Sequence, residues 1–156
     1  MSCSYHEIEA LRDELQALAD RAPQICGNAA RELAARLLRS VRMRTPVGVY
    51  NDQDPDWGMP EKVGGTLRRG WTTGEVGSDG STHTAEVINP VEYAPYVEFG
   101  HRQQVGRFVP AIGKRLTKPW AEGRFMLTKS VAELHDVAEQ VIDKQIEAAM
   151  KGGGKT

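Results

Sequence analysis

The sequence predicts an α+β fold: two N-terminal helices, a small antiparallel β-hairpin, a long C-terminal helix and two long loops. Apolar residues recur at helical spacing near both ends of the chain, which predicts the helices. Between them, two strand-like segments flank a connection rich in glycine and aspartate, and this predicts the hairpin. The 156 residues suit a single structural domain, which we expect over 1–151, with 152–156 as a flexible glycine-rich tail.

The N-terminal third of the chain is predicted to form two helices that meet at a proline. Ser4 and Glu7 have the spacing of a capping box at the start of the first helix. Pro23 interrupts that helix and is suited to open a second one, which ends at Thr45-Pro46 because the residue before a proline disfavours helical geometry. The first helix has an apolar stripe of Ile8, Leu11, Leu15 and Leu18. The second ends in the basic residues Arg36, Arg39, Arg42 and Arg44.

The middle of the chain is predicted to hold a long loop followed by a hairpin. Prolines and glycines punctuate residues 46–65, so we expect a loop there, and a loop of this length is commonly functional. Within it, Asp52, Asp54 and Asp56 alternate as at the start of a calcium loop, but the glycine and glutamate that such a loop requires are missing. Strands are predicted over 67–76 and 83–89, with the turn between them at 77–80.

The C-terminal half is predicted to contain a short helical turn, an irregular arm and a long helix. Residues 93–100 form the turn, which glycine ends. Residues 101–123 form the arm, and a helix follows from about Arg124 to Met150. Its predicted buried stripe consists of Leu127, Val131, Leu134, Ala138, Val141 and Ile142.

The sequence has few of the motifs that indicate catalysis or metal binding. Its four histidines and two cysteines are dispersed, without the spacing of a metal site, and no nucleophile motif is present. The net charge of −1 does not indicate general nucleic-acid binding. We therefore expect a protein without enzymatic activity, cofactor or metal. No stretch is apolar enough to cross a bilayer, so we expect no membrane contact.

The arm at 101–123 has an uneven charge and a large apolar content. No acidic residue lies between Glu98 and Glu122, whereas five basic residues do. Apolar side chains are interleaved with these charges and need something to cover them, which favours a neighbouring subunit over a phosphate backbone. A solvated loop and a contact with DNA are the alternatives. The predicted interface residues are Arg102, Val105, Arg107, Phe108, Val109, Ile112, Lys114, Arg115 and Trp120.

Four short segments together resemble a family of tailed-bacteriophage neck and tail-completion proteins. These are 45–47 (TPV) with 65–71 (GTLRRGW), then 93–101 (YAPYVEFGH), and lastly 123–127 (GRFML). The stretch 48–64 is inserted into what the family has as one nearly continuous motif. The positions that match as structural residues are Pro46, Leu67, Arg68, Trp71, Tyr93, Tyr96, Glu98, Phe99 and Gly100. The aromatic residues among them give the helical turn a large apolar content that is expected to be core, and we expect Glu98 to pair with Arg68 or Arg69.

The resemblance implies a structural virion protein, assembled in the host cytoplasm and located at the head–tail junction. It implies a homo-oligomeric ring, a hexamer or dodecamer, that joins the head connector to the tail and lines the DNA path. The implied partners are head-completion or connector proteins and tail terminator or tail tube proteins, with transient contact with genomic DNA. The alternative is a small nucleic-acid-binding accessory protein that uses the Arg-rich second helix and the basic arm.

Overall fold

A computed structural model describes residues 5–48, 64–80, 82–109 and 113–152. Its helices are α1 (Tyr5–Arg44), α2 (Thr66–Gly70), α3 (Ala94–Phe99) and α4 (Met126–Gly152). Its strands are β1 (Thr72–Thr73), β2 (Gly77–Asp79), β3 (Thr82–Thr84), β4 (Val87–Ile88), β5 (Gly100–Arg102), β6 (Phe108–Val109), β7 (Lys114–Arg115) and β8 (Trp120–Glu122). The predicted α+β class is confirmed. The acidic stretch 52–56 and Ile112 lie outside the described residues.

The two long helices, α1 and α4, pack antiparallel along their lengths. Near one end the Ser40 and Ser130 hydroxyls are 3.1 Å apart, and near the other Arg21 donates to the Ala149 carbonyl at 3.2 Å. At 1.5 Å per residue, α1 is about 60 Å long and α4 about 40 Å. Because α4 ends three residues after Ala149, the first thirteen residues of α1, 5–17, extend past the described end of α4. We call residues 5–17 the overhang.

The expected break at Pro23 is wrong, since α1 is one helix of 40 residues that runs through the proline. A proline in a helix interior costs about 3 kcal/mol, because it removes one hydrogen bond and crowds the preceding turn. Here α4 holds α1 on both sides of that position. Arg21 binds α4 just before Pro23, and Glu32 accepts a hydrogen bond from Gln145 of α4 after it, at 2.8 Å. Tertiary packing therefore overrides the local preference.

The first predicted strand, 67–76, is also wrong over most of its length. Its start forms α2, because Leu67 and Trp71 are four residues apart and both are buried against the core. Only β1 remains extended, paired antiparallel with β4 so that Thr72 lies opposite Ile88. The predicted turn at 77–80 is wrong, because Gly77–Asp79 form the strand β2, which pairs antiparallel with β3 so that Ser78 lies opposite His83.

The core lies where the C-terminal end of α1 meets α2, α3 and the start of α4. It comprises the buried residues Val41, Leu67, Trp71, Ala94 and Met126. In α4 the predicted buried stripe is only partly right, since Val131 and Ile142 are 47% and 41% exposed. The buried positions there are Met126, Ser130 and Val141, because α1 covers a narrower face of α4 than the apolar pattern suggests.

The region 101–123 is not an irregular arm as expected. It forms two antiparallel strand pairs in succession, β5 with β8 and β6 with β7. Hydrogen bonds between the pairs join them into one long hairpin, which sequence alone did not show because short strands with Gly and Pro interruptions carry little alternating pattern.

Candidate assembly surface

The end of α1 is fixed by Thr45, which is completely buried. Its hydroxyl donates to the Val41 carbonyl at 2.6 Å and accepts the indole N–H of Trp71 at 2.8 Å. Its carbonyl accepts two hydrogen bonds from the Arg68 guanidinium, at 3.0 and 2.7 Å from Nε and Nη2. A cation at a helix C-terminus satisfies unpaired carbonyls and complements the helix dipole. Arg68 therefore ties α2 to the end of α1, and the exposed Pro46 follows this junction.

The family-motif residues around α2 have equally structural roles. Arg42 donates to the Trp71 carbonyl, and Asn89 donates to the Leu67 carbonyl at 2.9 Å, so both ends of the α2 turn are held by side chains. Arg69 donates to the Gly64 carbonyl at 3.1 Å. These contacts join segment 45–47 to segment 65–71, so the first two segments that resemble the family form one structural unit.

The expected pairing of Glu98 with an arginine is wrong, because Glu98 caps the N-terminus of α4 instead. Its carboxylate accepts the Leu127 N–H at 3.0 Å, the Thr128 N–H at 2.9 Å and the Thr128 hydroxyl at 2.8 Å. The side chain is buried, with 6% of the residue exposed. Burial opposes ionisation, but the hydrogen bonds from Thr128 and Leu127 outweigh it and lower the pKa of Glu98.

The start of α4 and the end of α3 are also joined by backbone. The Arg124 N–H donates to the Val97 carbonyl at 2.8 Å, and the Phe125 N–H donates to the Glu98 carbonyl at 3.0 Å. Phe125 has a φ of 53°, a left-handed conformation that an ordinary side chain adopts at some cost and that the neighbouring contacts impose. This corner forms the base from which the hairpin 100–122 leaves the core.

Two glycines allow the strands at this base to approach closely. At Gly100, whose φ is 83°, a Cβ atom would lie 2.3 Å from the Ala121 carbonyl oxygen. At Gly123 a Cβ atom would lie 2.3 Å from the Glu98 carbonyl oxygen. Both clashes are with backbone, which cannot turn aside, so these positions require glycine. We call the hairpin 100–122 the arm.

The arm is held together by backbone pairing along its length. In β5 and β8, His101 lies opposite Ala121, and beyond them the Gln103 N–H donates to the Pro119 carbonyl at 2.8 Å. Further out, Leu116 and Arg107 are joined by a hydrogen bond of 2.9 Å. In β6 and β7, Phe108 lies opposite Arg115. The described residues of the arm therefore form a backbone-paired projection.

Large apolar side chains lie on the surface of the arm. Val105 is 57% exposed, Phe108 50% and Trp120 46%, while Val109 is half-buried. The basic residues Arg102, Arg107, Lys114, Arg115 and Lys118 are all exposed. One of them is also used within the arm, since Arg115 donates to the Gly106 carbonyl at 2.7 Å. The structure thus brings the described members of the predicted interface set onto one projection.

The aromatic residues of α3 extend this apolar surface beyond the arm. Tyr93, Tyr96 and Phe99 are 46%, 60% and 62% exposed, so the expectation that they are core is wrong. The buried residues of this helical turn are Ala94 and Glu98. Ala94 and Glu98 are four residues apart and therefore lie on the same face of α3. This spacing indicates the buried face only when Glu98 is taken as a helix cap and not as half of a salt bridge.

The arginines of α1 are largely engaged within the molecule. Arg36 pairs with Glu32 at 2.7 Å and Arg44 with Glu133 at 2.9 Å.

Among the described residues, no group of His, Cys, Asp or Glu side chains is placed to hold a metal ion. Within those same residues, no helix is both long enough and apolar enough to cross a membrane.

The chain matches one family model, described as "Bacteriophage HK97-gp10, putative tail-component", over residues 9–100. That range is 92 of the 156 residues, and it runs from α1 through α3 to the first residue of the arm. No curated protein and no solved structure matches the chain. The matched range contains the Thr45 joint and Glu98, whereas the α4 residues that Glu98 caps, Leu127 and Thr128, lie beyond it. The chain belongs to the HK97-gp10-like family of bacteriophage tail components.

Proposed function

We propose that this tail component is a neck or tail-completion protein that forms a ring, joins the head connector to the tail and lines the path of the DNA. As a member of a phage tail-component family, the chain is a structural protein of the virion and contacts other virion proteins. The proposal of a ring at the neck rests on one observation: the described residues of the arm form a backbone-paired projection that carries exposed apolar side chains.

The shape of the arm suits contact between neighbouring copies. The arm leaves the core at a hydrogen-bonded corner, and none of its described apolar side chains is among those that pack on the core. A projection on one copy that enters a different surface on the next is a heterologous contact, and such contacts close into rings when the rotation permits. The exposed aromatic residues of α3 beside the base of the arm give such a neighbour a second apolar surface to cover.

The composition of the arm favours a protein partner over DNA. Aromatic side chains buried at an interface supply most of its affinity, whereas exposed basic side chains at its rim supply orientation. DNA contacts depend mainly on cations against phosphate, and two of the four α1 arginines that the nucleic-acid alternative uses, Arg36 and Arg44, are paired with Glu32 and Glu133. In this proposal the basic residues of the arm face an acidic neighbour or, transiently, the passing DNA.

The other partners follow from the position in the virion that we propose. Head-completion or connector proteins lie on one side of the ring, and tail terminator or tail tube proteins lie on the other. The ring is a hexamer or dodecamer, and it acts without catalysis or a cofactor.

The proposal is tested by truncating the apolar residues of the arm. We expect Val105→Ala with Phe108→Ala to abolish rings in electron micrographs and to prevent the variant from restoring infectivity to a phage that lacks the protein. Truncation of a central interface residue commonly costs 2 kcal/mol or more, about thirtyfold in affinity, and two together are expected to prevent assembly. The matched control is Ile88→Ala with Val131→Ala, two residues that are similarly exposed but lie away from the arm.

A second set of variants separates a subunit contact from a DNA contact. Replacing Arg102, Arg107 and Lys114 with glutamine is expected to have the smaller effect at physiological salt, where exposed charges are screened over about 8 Å. The proposal fails if the apolar variant still forms rings and infectious particles. It also fails if only the charge variant blocks infection, because that result assigns the arm to DNA.

A further inference from the structure

The overhang exposes an apolar seam that the described residues of its own chain leave uncovered. Tyr5, Ile8, Leu11 and Leu15 are between 55% and 76% exposed, although they share one face of the helix. They lie beyond the end of α4, which covers the corresponding face farther along α1. Most helical stability in proteins comes from packing of the apolar face, so the overhang gains stability when a partner covers its seam.

The spacing of the seam is that of a coiled coil. Ile8, Leu11, Leu15, Leu18, Ala22 and Ile25 follow one another at alternating intervals of three and four residues. This heptad pattern produces a narrow stripe, which fits a second helix better than a broad flat surface. The pattern continues past the overhang into the part of α1 that lies beside α4.

Where the overhang ends, the same face of α1 becomes one wall of an apolar groove. The groove has a volume of about 580 Å³, and its lining includes Leu18, Ala22, Ile25, Ala29, Ile142 and Ile146. The α4 residues in it are partly open to solvent, with Ile142 41% and Ile146 36% exposed. The groove therefore has room for apolar side chains from a helix that lies alongside α1.

We propose that the occupant is the overhang of a second copy of this chain, in an antiparallel, two-fold dimer in which each overhang fills the groove of the other copy. The seam fixes the register. Leu15 of each copy packs against Leu18 of the other, Leu11 against Ala22, and Ile8 against Ile25. In this arrangement the large Leu11 side chain lies opposite the small Ala22 side chain. The same contact covers both the seam of the overhang and the groove.

The flanking charges and the buried area agree with this occupant. In this register Glu14 of one copy falls beside Arg21 of the other, and the two-fold axis repeats the pair. Four large apolar side chains from each copy, with the groove walls that receive them, remove on the order of 1,000 Å² from water, which is the low end for a specific contact. We therefore expect a reversible dimer with a Kd in the micromolar range.

This dimer contact is distinct from the contact proposed for the arm. A two-fold contact closes on itself, whereas the arm makes a head-to-tail contact that continues around a ring. The two also use opposite parts of the molecule: residues near the N-terminus in one case, and 100–122 in the other. Either proposal can therefore fail while the other stands.

The test is sedimentation of the full chain over a wide range of concentrations, in the Val105→Ala, Phe108→Ala background so that rings do not obscure the dimer. We expect a shift from monomer to dimer as concentration rises through the micromolar range. Leu15→Glu is expected to weaken the dimer at least tenfold, because it places a carboxylate in an apolar layer. Ala17→Glu is the matched control, since it adds the same charge two residues away on the open face, and it is expected to leave the dimer unchanged.

Cysteine cross-linking tests the direction of the helices, with Cys3 and Cys26 replaced by serine. When Leu11→Cys chains are mixed with Ala22→Cys chains and oxidised, we expect disulfide-linked pairs that contain one chain of each kind. A parallel dimer would instead join chains of the same kind. The proposal is overturned by a monomer at every concentration, by equal effects of Leu15→Glu and Ala17→Glu, or by like-with-like cross-links. Circular dichroism of each variant confirms that the monomer remains folded.

Discussion

The two ends of α1 lie in opposite surroundings, although they belong to one continuous helix. At the C-terminal end Val41 and Thr45 are completely buried, and three hydrogen bonds from neighbouring side chains converge on Thr45. At the N-terminal end Tyr5 is 76% exposed and Leu15 58%. One end of α1 is thus packed in the core of its own chain, and the other end exposes apolar side chains that a partner can contact.

The same contrast recurs at α3 over a few residues. Ala94 and Glu98 are buried, whereas Tyr96 and Phe99, between and beside them, are about 60% exposed. Aromatic side chains left on the surface beside a buried, fully hydrogen-bonded carboxylate do little for the stability of the monomer. The stability of the monomer comes from its buried apolar core and the polar joints around it, and the exposed apolar surfaces are available for association.

The largest effect on stability is expected at Trp71. Trp71→Ala removes a buried ring and the hydrogen bond to Thr45, and we expect it to lower the free energy of unfolding by about 3–5 kcal/mol. Leu15→Ala also truncates a large apolar side chain, but that side chain is exposed. We expect it to change the free energy of unfolding of the dilute monomer by less than about 0.5 kcal/mol. Denaturant unfolding measures both. If the two variants lost similar amounts of unfolding free energy, the proposed difference between the two ends of α1 would be contradicted.

A smaller loss is expected at the α4 cap. Glu98→Ala leaves the N–H groups of Leu127 and Thr128 without their acceptor, and we expect the protein to lose about 1–3 kcal/mol. The neighbouring exposed residue provides the control, because Phe99→Ala is expected to cost much less. Thermal unfolding of the two variants compares them directly, and an unchanged melting temperature for Glu98→Ala would show that the cap is unimportant.

The smallest of these effects is a change in pH dependence. Because folding lowers the pKa of Glu98, its contribution is present above the pKa of the unfolded chain and is lost as pH falls through the folded pKa. Glu98→Gln is therefore expected to reduce the loss of stability between about pH 5 and pH 3. The pKa values of Glu32 and Glu133 are also lowered, by hydrogen bonds from Arg36 and Arg44, but both residues remain in the variant. The difference between the two stability curves, from denaturant unfolding at each pH, isolates Glu98, and parallel curves would contradict this role.

The features that sequence predicted well are those with a strong local signal. The helical turn that ends at Gly100 and the C-terminal helix both have local start or stop residues. The candidate interface stays a prediction, and it rests on a local signal of the same kind, since no acidic residue lies between Glu98 and Glu122.

The features that sequence missed depend on contacts between distant residues. Pro23 indicates a break locally, and only contact with α4 keeps α1 continuous. Glu98 lies near arginines in the motif pattern, yet its partners are backbone groups about thirty residues later. Leu67 and Trp71 fit a strand or a helix equally well until the end of α1, with Thr45, fixes the choice.

The measurement that most directly tests the division between core and periphery is oxidative footprinting of free and assembled protein. In the free chain we expect strong labelling of Phe108, Trp120 and Tyr96 and little labelling of the buried Trp71 and Met126. In the assembled particle we expect labelling of Phe108 and Trp120 to fall several-fold, because a neighbouring subunit covers the arm, while the core residues stay unlabelled. Equal labelling of Phe108 and Trp120 in the free and assembled protein would show that the arm remains in solvent and is not the assembly surface.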